Sequence, residues 1–184
     1  MKQIIISDEL IDYYRENYGK DLLSNSLHSG KPRVYYGPIL EKRGCLWFFP
    51  HTSLCHNNPN ELYFPLKRGF AVHGGLSLGN LTPISHGMFE THAKRLKVDF
   101  EKDGKYKNVL AVRLKVAKQY QYKLKIHAKR MLYMPPQRRE YLQDTYGEHL
   151  LYDFKKLSEI ALDTTLAKLM LKSKTSDAHV LLHS

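Results

Sequence analysis

Hydroxyls and imidazoles crowd one short stretch, Pro50-His51-Thr52-Ser53, with Cys55 and His56 just beyond. At a strand end, such side chains suit phosphate handling. Hydroxyls bind nonbridging oxygens, and an imidazole moves a proton. Lys31 and Arg33 stand at or just before the aromatic run that opens at Val34. If that run folds back as a hairpin, Arg33 at the start of one strand lies near the end of the other. A cation there stabilises the extra charge of a pentacoordinate phosphorane. The set suits metal-free RNA cleavage, in which a 2′-OH attacks the adjacent phosphate and leaves a 2′,3′-cyclic phosphate and a 5′-OH. The same residues also make an ordinary polar turn or helix cap, and a lone His51 is more often a surface residue. Residue types alone leave both readings open.

Other chemistries find fewer parts. The ten histidines are scattered, with no HExxH and no paired helical spacing, so no metal and no cofactor is expected. Gly74-Gly75 and Gly79 lack the following helix of a phosphate cradle and read as turns. His51-Thr52-Ser53 fits one H-x-[ST] motif of a two-histidine phosphoesterase, but Ser85-His86-Gly87 and His179 supply no second one. Cys45 and Cys55 lack zinc spacing and read as reduced thiols of a cytoplasmic protein. No apolar run reaches the roughly 18 residues of a membrane span.

The net charge of +11 is concentrated. Residues 1–92 carry nine basic and eight acidic side chains (+1), residues 93–139 fifteen and three (+12), and residues 140–184 five and seven (−2). A polyanion is the natural partner of the middle segment, because each cation near a phosphate releases condensed counterions. Lys107, Arg113, Lys115, Lys118, Lys129 and Arg130 are its candidate RNA-binding residues, joined by Lys31, Tyr36 and His56 from the first half.

The elements that must position these groups follow in order. Gln3–Ile6 reads as a strand, and Ser7 as the cap of a helix with Asp8 and Glu9 in its first turn. Val34–Leu40 and Cys45–Pro50 flank Lys42-Arg43-Gly44 as a hairpin. Leu62–Leu66, Ala71-Val72 and Leu78–Ile84 read as further short strands between glycine turns, suggesting a small barrel or bent sheet. Residues 105–134 alternate like strands and also repeat like a helix. The absence of turn residues other than Asn108 favours helix, ended by Pro135-Pro136. A second helical stretch runs from about Arg138 to Lys172, interrupted near Tyr146-Gly147. We expect a single domain over 1–184: a β-rich core with one N-terminal helix (1–92), a basic helical hairpin (93–136), C-terminal helices (137–172) and a tail (173–184).

Lys31-Pro32-Arg33-Val34-Tyr35-Tyr36-Gly37-Pro38-Ile39-Leu40, followed by Trp47-Phe48-Phe49-Pro50-His51-Thr52-Ser53, resembles the ToxN/AbiQ family, the endoribonuclease toxins of type III toxin–antitoxin systems. Leu78-Gly79-Asn80-Leu81-Thr82-Pro83-Ile84 is similar to a later strand of that family. Tyr106-Lys107-Asn108-Val109-Leu110 and Ala128-Lys129-Arg130-Met131-Leu132-Tyr133 resemble the ends of its long helical hairpin. The likeness covers about residues 1–134, and the joint order of the motifs carries it. It implies an α+β fold: a compact, strongly bent antiparallel sheet or barrel like the MazF/Kid toxins, with a long helical hairpin and, here, an extra C-terminal helical region. It implies a hydrolase with Thr52 and Ser53 in the active site and Arg33 where the family places a catalytic lysine. Arginine keeps the charge but cannot deprotonate. Where the family continues Ser-Pro-Lys, this chain has Ser53-Leu54-Cys55, so one cation is absent or replaced, with His51 and His56 the obvious substitutes. The implied partner is a repetitive antitoxin RNA, both substrate and inhibitor, held in a protein–RNA hetero-oligomer that serves phage defence. The competing class is a non-catalytic RNA- or DNA-binding protein.

Overall fold

The β-branched run at the N-terminus forms β1 (Lys2–Ile6) and feeds directly into α1 (Asp8–Tyr18). The Ser7 hydroxyl accepts the Leu10 amide at 3.4 Å, and Gly19 closes the helix. The computed structural model describes residues 1–19, 32–52, 61–95 and 104–163. Lys31, Ser53, Cys55, His56 and the tail lie outside that set.

The expected aromatic hairpin is β2 (Tyr35–Lys42) and β3 (Cys45–Thr52). Its two-residue turn puts Arg43 at φ 53° and Gly44 at φ 69°, the paired positive values of a type I′ turn, whose twist matches that of the strands. Next come β4 (Tyr63–Arg68), β5 (Ala71–Ser77), β6 (Thr82–Ser85), α2 (His86–His92) and β7 (Ala93–Arg95). All pairings are antiparallel, in the order β4-β5-β3-β2-β1-β7, with β6 branching from β3. The fold is α+β, and among the described residues the sheet is open, with β4 and β7 at its two ends.

β3 divides one edge between two partners. Cys45–Phe48 pair with β6, while His51 and Thr52 pair with β5. Both faces of β3 are covered, because successive strand residues alternate: Trp47 meets Phe154 edge-on at 5.9 Å, and Phe48 stacks on Phe89 at 5.8 Å. That is why the sequence shows a continuous apolar run here rather than an alternating one.

Three expectations need correction. Gly74 and Gly75 lie inside β5, not in turns. Leu78–Leu81 is the turn and only Thr82–Ser85 the strand. The expected helical hairpin is instead one kinked rod, α3 (Gly104–Gln119) followed by α4 (Gln121–Leu132). At the joint, Tyr120 keeps near-helical angles (φ −96°, ψ 9°); its amide donates to Val116 and its carbonyl accepts from Leu124. One residue in that conformation bends a helix but cannot reverse it. α3 packs on β4 and β5, and α4 reaches β2. The buried Gln3 ties α3 to the sheet, its Nε2 donating to the Tyr36 hydroxyl (2.8 Å) and the Leu110 carbonyl (3.0 Å).

The C-terminal region comprises α5 (Pro136–Tyr146), a single 3-10 turn (Glu148–Leu150) and α6 (Phe154–Leu162). It is anchored where backbone meets backbone. The Tyr152 amide donates to the Gly79 carbonyl at 2.9 Å, and Asn80 Nδ2 to the His149 carbonyl at 3.0 Å. No helix among the described residues is long and apolar enough to cross a membrane.

A Cβ on Gly79 would lie 1.9 Å from the Leu150 carbonyl oxygen, whereas one on Gly87, within α2, would meet nothing within 4 Å. Gly79→Ala should therefore lower stability by about 1–3 kcal/mol or more. Gly87→Ala should be neutral or raise it by up to about 1 kcal/mol. Urea unfolding of the two variants checks this, and equal midpoints would contradict the anchoring role of Gly79.

Candidate active site

The hairpin register brings Arg33 to the end of β3, as the sequence suggests. The Val34 carbonyl accepts the His51 amide at 2.8 Å, and Arg33 Nη1 donates to the His51 carbonyl at 3.1 Å. Thr52 follows, half-buried, opposite Gly75 of β5. Arg33, His51 and Thr52 thus share one corner of the sheet, and Ser53 is the next residue in the chain.

His51 is only 5% exposed. Burial, aided by the Arg113 guanidinium and less by that of Arg33, pushes its imidazole down to about 3 against an opposing pull from the His73 carbonyl. The ring is neutral throughout the physiological range, so it cannot serve as the substitute cation expected from the sequence. Its Nε2 is buried without a hydrogen-bond partner. That atom fills the place that a side chain on Gly74 would take: a Cβ there would sit 2.5 Å away. Gly74 also has φ +96°, which L side chains rarely adopt. The glycine thus makes room for the histidine.

The second cation comes from the helix. Arg113, on α3, donates from Nε to the His73 carbonyl. From sequence it counts only among the candidate RNA-binding cations; the structure brings it close enough to His51 that its charge, like that of Arg33, acts on the imidazole. Charge spacing along a helix carries no sign of this, because it depends on how α3 lies over β5. Tyr63, on β4, lies close by: it is 6% exposed, and its hydroxyl is raised by burial against the lowering effects of the Ser77 hydroxyl and the Arg33 charge.

The remaining candidates divide. Tyr36 is fully buried, with its hydroxyl on Gln3, so it is a core residue and not an RNA contact. Lys115, Lys118, Lys129 and Arg130 are exposed along α3 and α4. Lys107 lies within α3. Cys45 is buried, which raises its thiol to about 11 and leaves it unreactive at neutral pH.

No family model and no curated protein sequence matches the chain. Solved structures do. One, of a bacterial type III toxin–antitoxin system with selective toxin inhibition by a non-coding RNA pseudoknot, superposes with a TM-score of 0.74 at 22% identity, over 89% of this chain and 97% of the other. A second concerns a processed non-coding RNA that regulates a bacterial antiviral system (TM-score 0.65, 19% identity, 86% and 96%). A third is AbiQ, a lactococcal anti-phage endoribonuclease of the type III toxin–antitoxin class (TM-score 0.66, 19% identity, 91% and 98%). The chain has their fold. It is of the α+β class that the resemblance over about residues 1–134 implies, and the superposition covers 89% of the chain.

Because folded His51 stays neutral down to about 3 while the unfolded residue titrates near 6.5, the unfolded chain binds the extra proton between those values. Stability should therefore fall as pH drops through that window. His127, also lowered by burial, adds in the same direction. Denaturant unfolding across that window should show a shallower pH dependence for His51→Gln than for the wild type. Parallel curves would contradict a buried neutral His51.

Proposed function

We propose that this protein is a cytoplasmic endoribonuclease toxin of a type III toxin–antitoxin system, acting in phage defence. The observation that carries the reading is the convergence of two arginines, Arg33 and Arg113, on the end of β3 beside Thr52, within a fold shared with such toxins. Cleavage proceeds by attack of the 2′-oxygen on the neighbouring phosphorus. The 2′-hydroxyl gives its proton to water, the bond from phosphorus to the 5′-oxygen breaks, that oxygen takes a proton from water, and the products are a 2′,3′-cyclic phosphate and a 5′-OH. Arg33 and Arg113 stabilise the added negative charge of the phosphorane, while the Thr52 and Ser53 hydroxyls bind its nonbridging oxygens. Arg113 carries the positive charge that the family's Ser-Pro-Lys lysine would otherwise bring.

His51 is a positioning residue. Its carbonyl holds Arg33, and its ring fills the space left by the missing side chain of Gly74. Lys31 and His56 add contacts to RNA at the same corner, and the exposed cations of α3 and α4 carry the flanking backbone. The partner is a repetitive antitoxin RNA that the protein processes and that then occupies the site in a protein–RNA assembly. In this reading the sheet belongs to the strongly bent MazF/Kid type, and the chain acts as a single domain.

Arg33→Ala and Arg113→Ala should each lower the single-turnover cleavage rate by about 10²–10³-fold, with RNA affinity within a few fold and unfolding midpoints near wild type. Retention of the wild-type rate by Arg33→Ala would remove this site. If the wild type binds RNA with strong salt dependence yet cleaves none at any enzyme concentration, the non-catalytic nucleic-acid-binding protein is the correct class.

A further inference from the structure

Phe70 has no role in the fold. Its side chain is 107% exposed, more than any other large apolar residue among those described. It sits in the two-residue turn between β4 and β5, where Arg68 pairs with Ala71. Gly69 has φ +59° and Phe70 does not have positive φ, so the turn is of type II′. That turn calls for glycine at its first central position and suits a small polar residue at its second. A phenyl ring serves neither the turn nor the core.

Its surroundings indicate what it meets. Lys67 and Arg68, immediately before the turn, are exposed. At the other end of β4, Phe64 packs edge-on against Tyr120 (5.3 Å) and His127 (5.5 Å) at the kink between α3 and α4. The hairpin therefore leans on the basic rod that bears Lys115 and Lys118. β5 reaches Gly75, the partner of Thr52, five residues after Phe70. The tip thus stands roughly 16 Å along the strand from the candidate active site. An exposed flat ring with cations beside it is the makeup of a single-strand site, in which the ring stacks a base and the cations hold phosphates. A duplex hides its base faces, so such a ring selects unpaired nucleotides.

We propose that Phe70 is a base-stacking platform that seats an unpaired RNA base a few nucleotides from the scissile phosphate, with Lys67 and Arg68 on the adjoining phosphates. The inference rests on the RNA reading above and adds to it a preference for single-stranded RNA around the cleavage point.

The test uses the full chain and fluorescence anisotropy with 2′-O-methyl oligoadenylate, which 2′-OH attack cannot cleave, and with a 2′-O-methyl duplex. Phe70→Ala should bind the single strand about tenfold or more weakly, Phe70→Trp should restore binding, and duplex affinity should not change. Lys67→Gln with Arg68→Gln should lower the slope of log affinity against log salt by about 1.4. A wild type that binds the single strand and a Phe70→Ala variant that binds it equally well would overturn the platform alone. A wild type that binds neither RNA would overturn both the platform and the RNA reading. Anionic vesicles that retain the wild type but not Phe70→Ala, with RNA binding equal for the two, would assign the ring to a membrane surface and also overturn the platform.

Discussion

The molecule depends on how β3 shares its edges. One edge pairs with β2 along the hairpin; the other is split between β6 and β5. The two partners follow one another along that edge, β6 over Cys45–Phe48 and β5 at His51 and Thr52, so the β4–β5 hairpin joins β3 at its far end. The corner this creates is where Arg33 arrives from β2 and where α3 can lie over β5. Gly74 is a local condition of that corner, since a side chain there would strike the His51 ring.

The electrostatics follow from the same geometry. Two guanidiniums brought within reach of one imidazole would repel a third positive charge. Burial is the larger reason that the histidine stays neutral, and the two charges add to it, so that its ionisation is pushed down to about 3. Both arginines spend part of their hydrogen-bonding capacity on backbone carbonyls, at His51 and His73, which fixes their position without cancelling their charge. The charge is thus held in place before any anion arrives, which is the condition for stabilising a transition state rather than a ground state.

Much of this was legible in the sequence where local rules govern. The capped first helix, the aromatic hairpin and its turn, and the meeting of Arg33 with the end of β3 follow from turn chemistry and strand pairing. So does the confinement of the excess charge to one segment. Expectations failed where distant chain decides local form. Gly74 and Gly75 look like turn residues, yet both lie in β5, and at position 74 the His51 ring takes the space of a side chain. Residues 105–134 carry no signal that distinguishes a kink at Tyr120 from a reversal, because hydrogen bonding through the joint is nearly helical in both flanks. Tyr36 looked like a surface aromatic, but the Gln3 side chain reaches it from β1 and buries its hydroxyl. The strand β7 and the short α2 carry too few residues to show a period. Arg113 could be read as a cation but not as a partner of His51, for only the packing of α3 sets it there.

The central claim is chemical, and the ends of the product test it most directly. The purified protein, incubated with RNA in excess EDTA, should yield fragments with 2′,3′-cyclic phosphate and 5′-OH ends, resolved by mass spectrometry. Fragments bearing 5′-phosphate, or cleavage that appears only when Mg²⁺ is restored, would contradict the account.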